Sequence, residues 1–245
     1  MNKIIRGRNA NTKKVKTLFI AQVVLGVMPV LLLILFVWKK MYQTPIVGTV
    51  FIILIFLCNL AYAFLARWYA VLHSGVKGER RLFRTVKKLH GTNIVFHNLP
   101  VRYKRGRSEL DMLIVCHSGV LIIEVKNHSG TISGSWKDDK WTQRKHYRDG
   151  KVTETIMDNP IKQMRRQRDI VKSILTAAEE NVWIDSVLYF SSPNAKLKLS
   201  LRENDYVCCE SAELLDFLRS YDSGETLSKT RMERIAQILR DSSGV

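Results

Sequence analysis

Hydrophobic positions fall into two regimes along this chain. Leu18 to Trp38 runs for 21 residues without a charge, and Ile46 to Ala66 repeats the pattern. As a helix, each run is long enough to cross a hydrocarbon layer about 30 Å thick. The first is too long, and too closely followed by the second, to fit a cleaved signal peptide. The seven-residue connector Lys39 to Pro45 makes the pair a tight helical hairpin. Pro29 lies inside the first span, where a membrane helix tolerates a kink.

Beyond the second span the spacing turns amphipathic. Arg67 to Lys77 reads as a linker whose His-Ser-Gly turn at 73–75 lets a helix restart. Gly78 to Leu89 carries Leu82, Phe83, Val86 and Leu89 at helical spacing, with Glu79 in its first turn. Ile94 to Val101 reads as a strand, and Tyr103 to Ser108, YKRGRS, as a basic loop. Leu110 to Asn127, LDMLIVCHSGVLIIEVKN, holds two runs rich in Val, Ile and Leu around Ser118-Gly119, the pattern of a buried β-hairpin. With Ser118-Gly119 as a two-residue turn, Asp111 stands opposite Lys126 and Leu113 opposite Glu124. Period-two alternation then gathers Asp111, Glu124 and Lys126 on one face, and a one-residue slip would send Asp111 to the other.

Gly130 to Trp136, Lys140 to Gln143, and an Asp149-Gly150 turn between two further short runs predict a meander that extends the same sheet. Asp158 or Asn159 caps the next helix, with Pro160 at its first position and an end near Glu180. Ile161, Met164 and Ile174 face inward on it, while Lys162, Arg165, Arg166, Arg168 and Lys172 make its outer face basic. Val182 to Phe190 and Tyr206 to Cys209 read as strands. Ser211 to Ser220 and Leu227 to Arg240 read as closing helices, with Ser211 and Ser228 as caps.

Composition narrows the setting. At 245 residues and 46% hydrophobic content, there is room for one medium domain plus attachments, and general disorder is excluded. The net charge is +17, of which residues 1–66 supply +8 without a single Asp or Glu. Such a balance favours a polyanionic partner, either nucleic acid or an anionic bilayer surface. Six basic residues precede the first span, and Arg67, Lys77, Arg80, Arg81 and Arg84 follow the second, against only Lys39 and Lys40 in the connector. Both termini are therefore expected in the cytoplasm, at a cell membrane crossed twice. Trp38, Tyr42, Trp68 and Tyr69 sit near the span ends, as interfacial aromatics do. The four cysteines show no paired spacing, which fits small core residues in a reducing compartment. There is no glycine-rich phosphate loop, HExxH, Cys/His cluster or serine nucleophile elbow.

Charges among residues that favour burial are costly unless they are paired or bind a metal. Asp111, Glu124 and Lys126 therefore read either as an ion pair at a core edge or as a site for Mg²⁺ or Mn²⁺, with a lysine beside a metal-bound water. Lys104, Arg105 and Arg107 read as phosphate contacts or as a solvated turn. Trp136, Trp141, His146 and Tyr147, interleaved with Lys and Arg, suit either base stacking or an ordinary amphipathic sheet. His128 and His146 lack a placed partner.

Four pieces of sequence together resemble a known family: Asp111, Glu124 and Lys126 on the hairpin; Gly78-Glu79 opening a helix before it; Gly119-Val120 leading its second strand; and Asn159-Pro160-x-x-Gln163 opening a helix after it. The match, over roughly Gly78 to Gln167, resembles the nuclease-related domain (NERD) branch of the PD-(D/E)XK nuclease superfamily. It departs at Leu110, where the superfamily motif has proline. The resemblance implies an α/β fold, a mixed sheet flanked by helices in a restriction-endonuclease-like core, here preceded by two transmembrane helices. It further implies Asp111, Glu124 and the Val125 carbonyl as ligands of Mg²⁺ or Mn²⁺, Lys126 as the catalytic lysine, Glu79 as an accessory acid and Gln163 as a site-lining amide. Arg165 and Arg166 on the basic helix join Lys104, Arg105 and Arg107 as candidate nucleic-acid contacts.

The expected organisation is a basic leader (1–17), a transmembrane hairpin (18–66, with spans 18–38 and 46–66), a linker (67–77), a core domain (78–190) and an α/β extension of that domain (191–245). The expected function is a membrane-anchored, metal-dependent nuclease acting on DNA or RNA. The alternative is a non-catalytic nucleic-acid-binding or scaffold protein at the membrane with the same fold, because fold transfers more safely than activity. Basic faces gripping anionic lipid form a second alternative.

Overall fold

The computed structural model describes residues 3–7, 10–40 and 43–243. Arg8 of the leader and Tyr42 of the connector lie outside the described residues. The chain divides into two units, one of residues 9–76 and one of residues 1–8 with 77–245.

The smaller unit is built from α1 (Ala10–Trp38) and the first part of α2 (Pro45–Val86). Both helices are long and apolar enough to cross a membrane, with mean hydropathies of 2.8 and 2.4 in their most apolar stretches. The rings of Phe36 and Phe51 meet across the pair at 5.7 Å. Ile20, Leu31, Ile34, Ile52, Phe56 and Leu57 all point outward and are more than half exposed. A helix apolar on every side suits a lipid surrounding or a large protein core. α2 also corrects an expectation, since it runs unbroken through His73-Ser74-Gly75. No proline follows there, and one glycine inside a helix costs only about 1 kcal/mol relative to alanine.

The larger unit is organised around a six-stranded sheet. Its strands are β1 (Lys3–Arg6), β2 (Ile94–Tyr103), β3 (Gly106–Cys116), β4 (Gly119–Lys126), β8 (Ile184–Phe190) and β10 (Tyr206–Cys208), and their order is β1-β2-β3-β4-β8-β10. β2, β3 and β4 run antiparallel in succession, while β1, β8 and β10 each join in parallel. The basic leader thus contributes an edge strand. The loop expected at Tyr103 to Ser108 is a tight β2–β3 turn, with Lys104 at φ 50°.

β5 (Gly130–Ser135), β6 (Lys140–His146), β7 (Val152–Asp158) and β9 (Ala195–Ser200) form a separate four-stranded sheet, ordered β7-β6-β5-β9. The expected meander therefore does not extend the first sheet. The reason is edge occupancy: β8 pairs along β4 from Val120 with Ile184 to Lys126 with Phe190, leaving the meander no free edge of β4. β9, unforeseen, closes the second sheet in parallel with β5.

Helices α3 (Pro160–Ala177), α4 (Ser211–Ser220) and α5 (Lys229–Ser243) complete the unit. α3 and α5 cover one face of the large sheet, burying Leu113, Val115, Val120 and Ile122 with Val171, Leu175 and Ile235. The end of α2 and α4 cover the other, burying Met112, Ile114, Leu121 and Ile123 with Leu82, Val86 and Leu214. This is a mixed α/β architecture with helices flanking the sheet. Ser228 caps α5 as expected, accepting from the Arg231 N–H at 3.2 Å. α4 is capped instead by a Glu210–Glu213 box, and the Ser211 hydroxyl pairs with the Tyr189 hydroxyl at 2.7 Å.

Candidate active site

The β3–β4 hairpin pairs Met112 with Ile123 and Cys116 with Gly119, so its turn is His117-Ser118. Gly119 opens β4 at φ +125°, where a side chain would press within 2.8 Å of the Trp183 carbonyl oxygen. The pairing lies two residues from the one expected of a Ser118-Gly119 turn. Two residues is a full strand period, so Glu124 and Lys126 keep the face expected of them. The ladder ends at Met112 with Ile123, however, so Asp111 does not stand opposite Lys126 as the expected turn would have it.

That step is where the sheet gives way. β2 and β3 pair from Ile94 with Val115 to His97 with Met112, and again from Leu99 with Leu110, leaving out Asn98 and Asp111. Asn98 is left-handed, at φ 54°. Phe96 and Leu99 lie in one core layer, and so do Leu110 and Leu113. Strict alternation would separate residues three apart, so both strands turn over at the break. The Val125 N–H therefore donates to Asp111 Oδ2 at 2.8 Å, taking a side-chain acceptor where a ladder carbonyl would stand. In an extended strand the N–H and C=O of one residue point to the same side, so the Val125 carbonyl also faces the Asp111 side.

Glu124 is 3% exposed, and both of its oxygens accept hydrogen bonds. Its Oε1 accepts from Lys126 Nζ and from Gln163 Nε2, each at 2.7 Å, and its Oε2 accepts from Gln167 Nε2 at 2.8 Å. Lys126 Nζ donates also to Gln163 Oε1 at 2.9 Å, which closes a triangle of lysine, carboxylate and amide. The Lys126 side chain is 23% exposed, so the triangle opens to solvent at its ammonium corner. α3 delivers both glutamines because they are four residues apart and share a face. Its start is fixed by Asn159, whose Oδ1 accepts from the Ile161 N–H at 2.9 Å while Nδ2 donates to the Asp138 carbonyl at 2.7 Å.

Glu79 joins from α2. Its Oε2 accepts from the Asn98 side-chain amide at 3.3 Å. Gly78 makes this approach possible, since a Cβ there would come within 2.9 Å of both Asn127 Cβ and Ser191 Oγ. Arg81 ties the same turn down, donating to the Ser191 carbonyl at 2.7 Å. Burial, then the charge of Glu124, push Asp111 well above the usual carboxylate range. Glu79 adds to that rise, against the opposing pull of the Val125 N–H and Lys126. Burial and Lys126 lower His128, favouring a neutral ring near the lysine.

The basic residues divide. Lys104 and Arg105 on the β2–β3 turn and Lys162, Arg165 and Arg166 on α3 line one cleft of about 510 Å³. Arg107 lines a neighbouring cleft with Arg102 and Glu109. Arg165 is already held, bonding both oxygens of Asp205 at 2.9 Å. Arg166 donates to the Arg107 carbonyl at 2.7 Å. Two aromatic candidates for base stacking are withdrawn: Trp141 is completely buried, and the Trp136 ring is covered by Arg202 at 3.5 Å. No disulfide forms among the described residues.

Sequence reasoning missed Gln167 and Asn98. Gln167 had a signal, being a lone amide on the buried stripe of α3 four residues after Gln163. Its Oε1 is buried without a hydrogen-bond partner. Asn98 had none beyond asparagine's tolerance of left-handed backbone.

Fold and site thus define a mixed α/β domain with a buried carboxylate–lysine–amide cluster beside a break in the β2–β3 ladder. Residues 74–191 match the model of the nuclease-related domain (NERD) family, a span that holds every member of that cluster and supports a nuclease-related function for it. The chain is 35% identical over 71 residues to an uncharacterized protein of Bacillus anthracis, a stretch covering 28% of this chain and 34% of that relative. The chain therefore spans about a third of that relative's length. No solved structure matches it.

Proposed function

We propose that this chain is a membrane-anchored nuclease of the PD-(D/E)XK kind that hydrolyses phosphodiester bonds of DNA or RNA with Mg²⁺ or Mn²⁺. The observation that carries the reading is the meeting of Asp111, Glu124 and Lys126 where the β2–β3 ladder opens. Among the described residues no three His, Cys, Asp or Glu side chains cluster for a metal, so the donor set would be Asp111, Glu124 and the Val125 carbonyl. Two carboxylates and a carbonyl are hard oxygen donors, which suit Mg²⁺ or Mn²⁺ better than a softer ion. Two neighbouring carboxylates that push one of themselves toward protonation also favour a divalent cation, which offsets their repulsion. A cation so bound supplies Lewis-acid stabilisation of charge on the phosphate and makes water a stronger nucleophile.

The remaining roles belong to the chain's own side chains. Lys126, held by Glu124 and Gln163 at the solvent edge, orients water or a phosphate oxygen through its ammonium. Gln163 and Gln167 hold Glu124 in place by donating to both of its oxygens. Glu79 acts as accessory acid. Lys104, Arg105 and Arg166 contact the phosphate backbone, with Arg107 and Arg165 as outer contacts.

The anchor reading rests on the two long apolar helices and their basic flanks. It gains support from β1, which precedes the first helix yet pairs with β2, which follows the second. Two segments in one sheet share one side of a bilayer, in keeping with a hairpin whose ends are both cytoplasmic.

The test is cleavage of labelled single- and double-stranded DNA and RNA by the full-length protein in detergent micelles with Mg²⁺, Mn²⁺ or EDTA, beside Lys126→Ala. Metal-dependent cleavage that disappears in the variant is expected. Tight binding without cleavage in either metal would move the assignment to a non-catalytic nucleic-acid-binding or scaffold protein.

A further inference from the structure

We infer that β1, the short strand ahead of the first long helix, is a positioning element of the candidate active site and acts through Asn98. The inference rests on the nuclease reading for one of its readouts, but on geometry alone for the contact itself. β1 lies parallel to β2, from Lys3 beside Ile94 to Arg6 beside His97. It is fastened at both ends, with the Lys3 N–H donating to the Asn93 carbonyl and the Gly7 N–H to the His97 carbonyl, each at 2.8 Å.

Gly7 ends directly against the residue at which β2 breaks. A Cβ on Gly7 would stand 2.0 Å from the Asn98 carbonyl oxygen and 3.0 Å from its carbon. The obstructing atoms are backbone, so no side-chain rotation relieves the clash and only glycine fits. Asn98 is 2% exposed and sits in the left-handed region at φ 54°. A non-glycine residue holds that conformation only where its surroundings over-determine it. Gly7 supplies one of those constraints and the hydrogen bond to Glu79 another.

Asn98 thus links β1 to two acids. Its amide holds Glu79, and its unpaired step across from Asp111 is what leaves the Asp111 carboxylate free to take the Val125 N–H. Displacing Asn98 shifts both together. Gly7 and Asn98 touch no reacting atom in this scheme, so they position the acids without taking part in bond making. A chain begun after the long helices lacks this support.

The experiment compares full-length wild type, Gly7→Ala, Asn98→Gly and the double variant in detergent micelles. Asn98→Gly keeps the left-handed backbone and removes only the amide. Two quantities are read: hydrogen exchange at the Val125 amide, which needs neither metal nor cleavage, and the Mn²⁺ concentration for half-maximal cleavage. Each single variant is expected to speed Val125 exchange and raise the Mn²⁺ half-saturation by about tenfold, with a smaller change in rate at saturating Mn²⁺. The double variant is expected to be no worse than either single one, because both act along one path. Deleting residues 2–7 removes β1 without introducing a clash and is expected to reproduce the Gly7→Ala values. Wild-type Val125 exchange in Gly7→Ala and in the deletion, or fully additive effects in the double variant, would overturn the inference. A wild-type protein that cuts nothing with any metal overturns the nuclease reading alone, since Val125 exchange still decides the β1 contact.

Discussion

The two ends of the β3–β4 hairpin solve opposite problems with the same strands. At the turn end, Val115 and Val120 pair in an unbroken ladder and are completely buried between apolar neighbours. At the open end, one residue on each of β2 and β3 drops out of the ladder, and two carboxylates and a lysine occupy the space. The difference shows what buried charge needs in this fold. Three donors meet Glu124, and the break presents a backbone N–H to Asp111. Regular pairing buries apolar side chains at one end; interrupted pairing houses charged ones at the other.

The largest effect that would break this contrast is on activity. Glu124→Gln keeps the shape of the open end and removes its charge, so metal-dependent cleavage should fall by about 10³-fold or more while the thermal transition persists. Wild-type rates in that variant would reduce the open end to a structural ion cluster. Stability separates the ends next. Gln167→Ala leaves Glu124 Oε2 without its donor and opens a cavity, a loss of about 3 kcal/mol in urea titrations. Val120→Ala at the turn end removes only apolar contact and should cost about 2 kcal/mol. Added Mg²⁺ should stabilise Val120→Ala as much as wild type and Gln167→Ala less, because binding adds stability only where the site is intact. Equal response to Mg²⁺ at both ends would remove the distinction.

The smallest effect concerns pH. Asp111 titrates above its ordinary value of 3.8 in the folded domain, so the folded state holds that proton more tightly than the unfolded chain. Its contribution to stability is complete below the ordinary value and is lost as pH rises through the raised one. In EDTA, wild type should therefore lose stability as pH climbs out of the acid range. Asp111→Asn should follow a flatter profile and melt higher at neutral pH, by less than the Gln167→Ala penalty. Parallel profiles for the two proteins would trace the pH dependence to other groups.

Much of this was legible in the sequence because it depends on parity. Glu124 and Lys126 share a face in any register that keeps period two, so placing the turn at Ser118-Gly119 left that pair intact, while Asp111 falls where the period breaks. The ladder break was not legible, because left-handed backbone at Asn98 is enforced by residues distant in the chain, Gly7 and Glu79. The second sheet was hidden for a similar reason. Nothing local to Gly130–Asp158 reveals that β8 claims the edge of β4. Gln167 could have been found, since an amide on an otherwise apolar helical stripe must satisfy its donors inside.

The parallel placement of β1 also sets an order of assembly. Lys3 pairs with Ile94, so about ninety residues, including both long helices, must be made between one strand and its partner. At ~5–20 residues per second, β1 waits several seconds or more for β2 to leave the ribosome. Over that interval both long apolar helices are synthesised. β1 is therefore among the last strands to dock, and the sheet edge beside Asn98 is completed only after both long helices have been made.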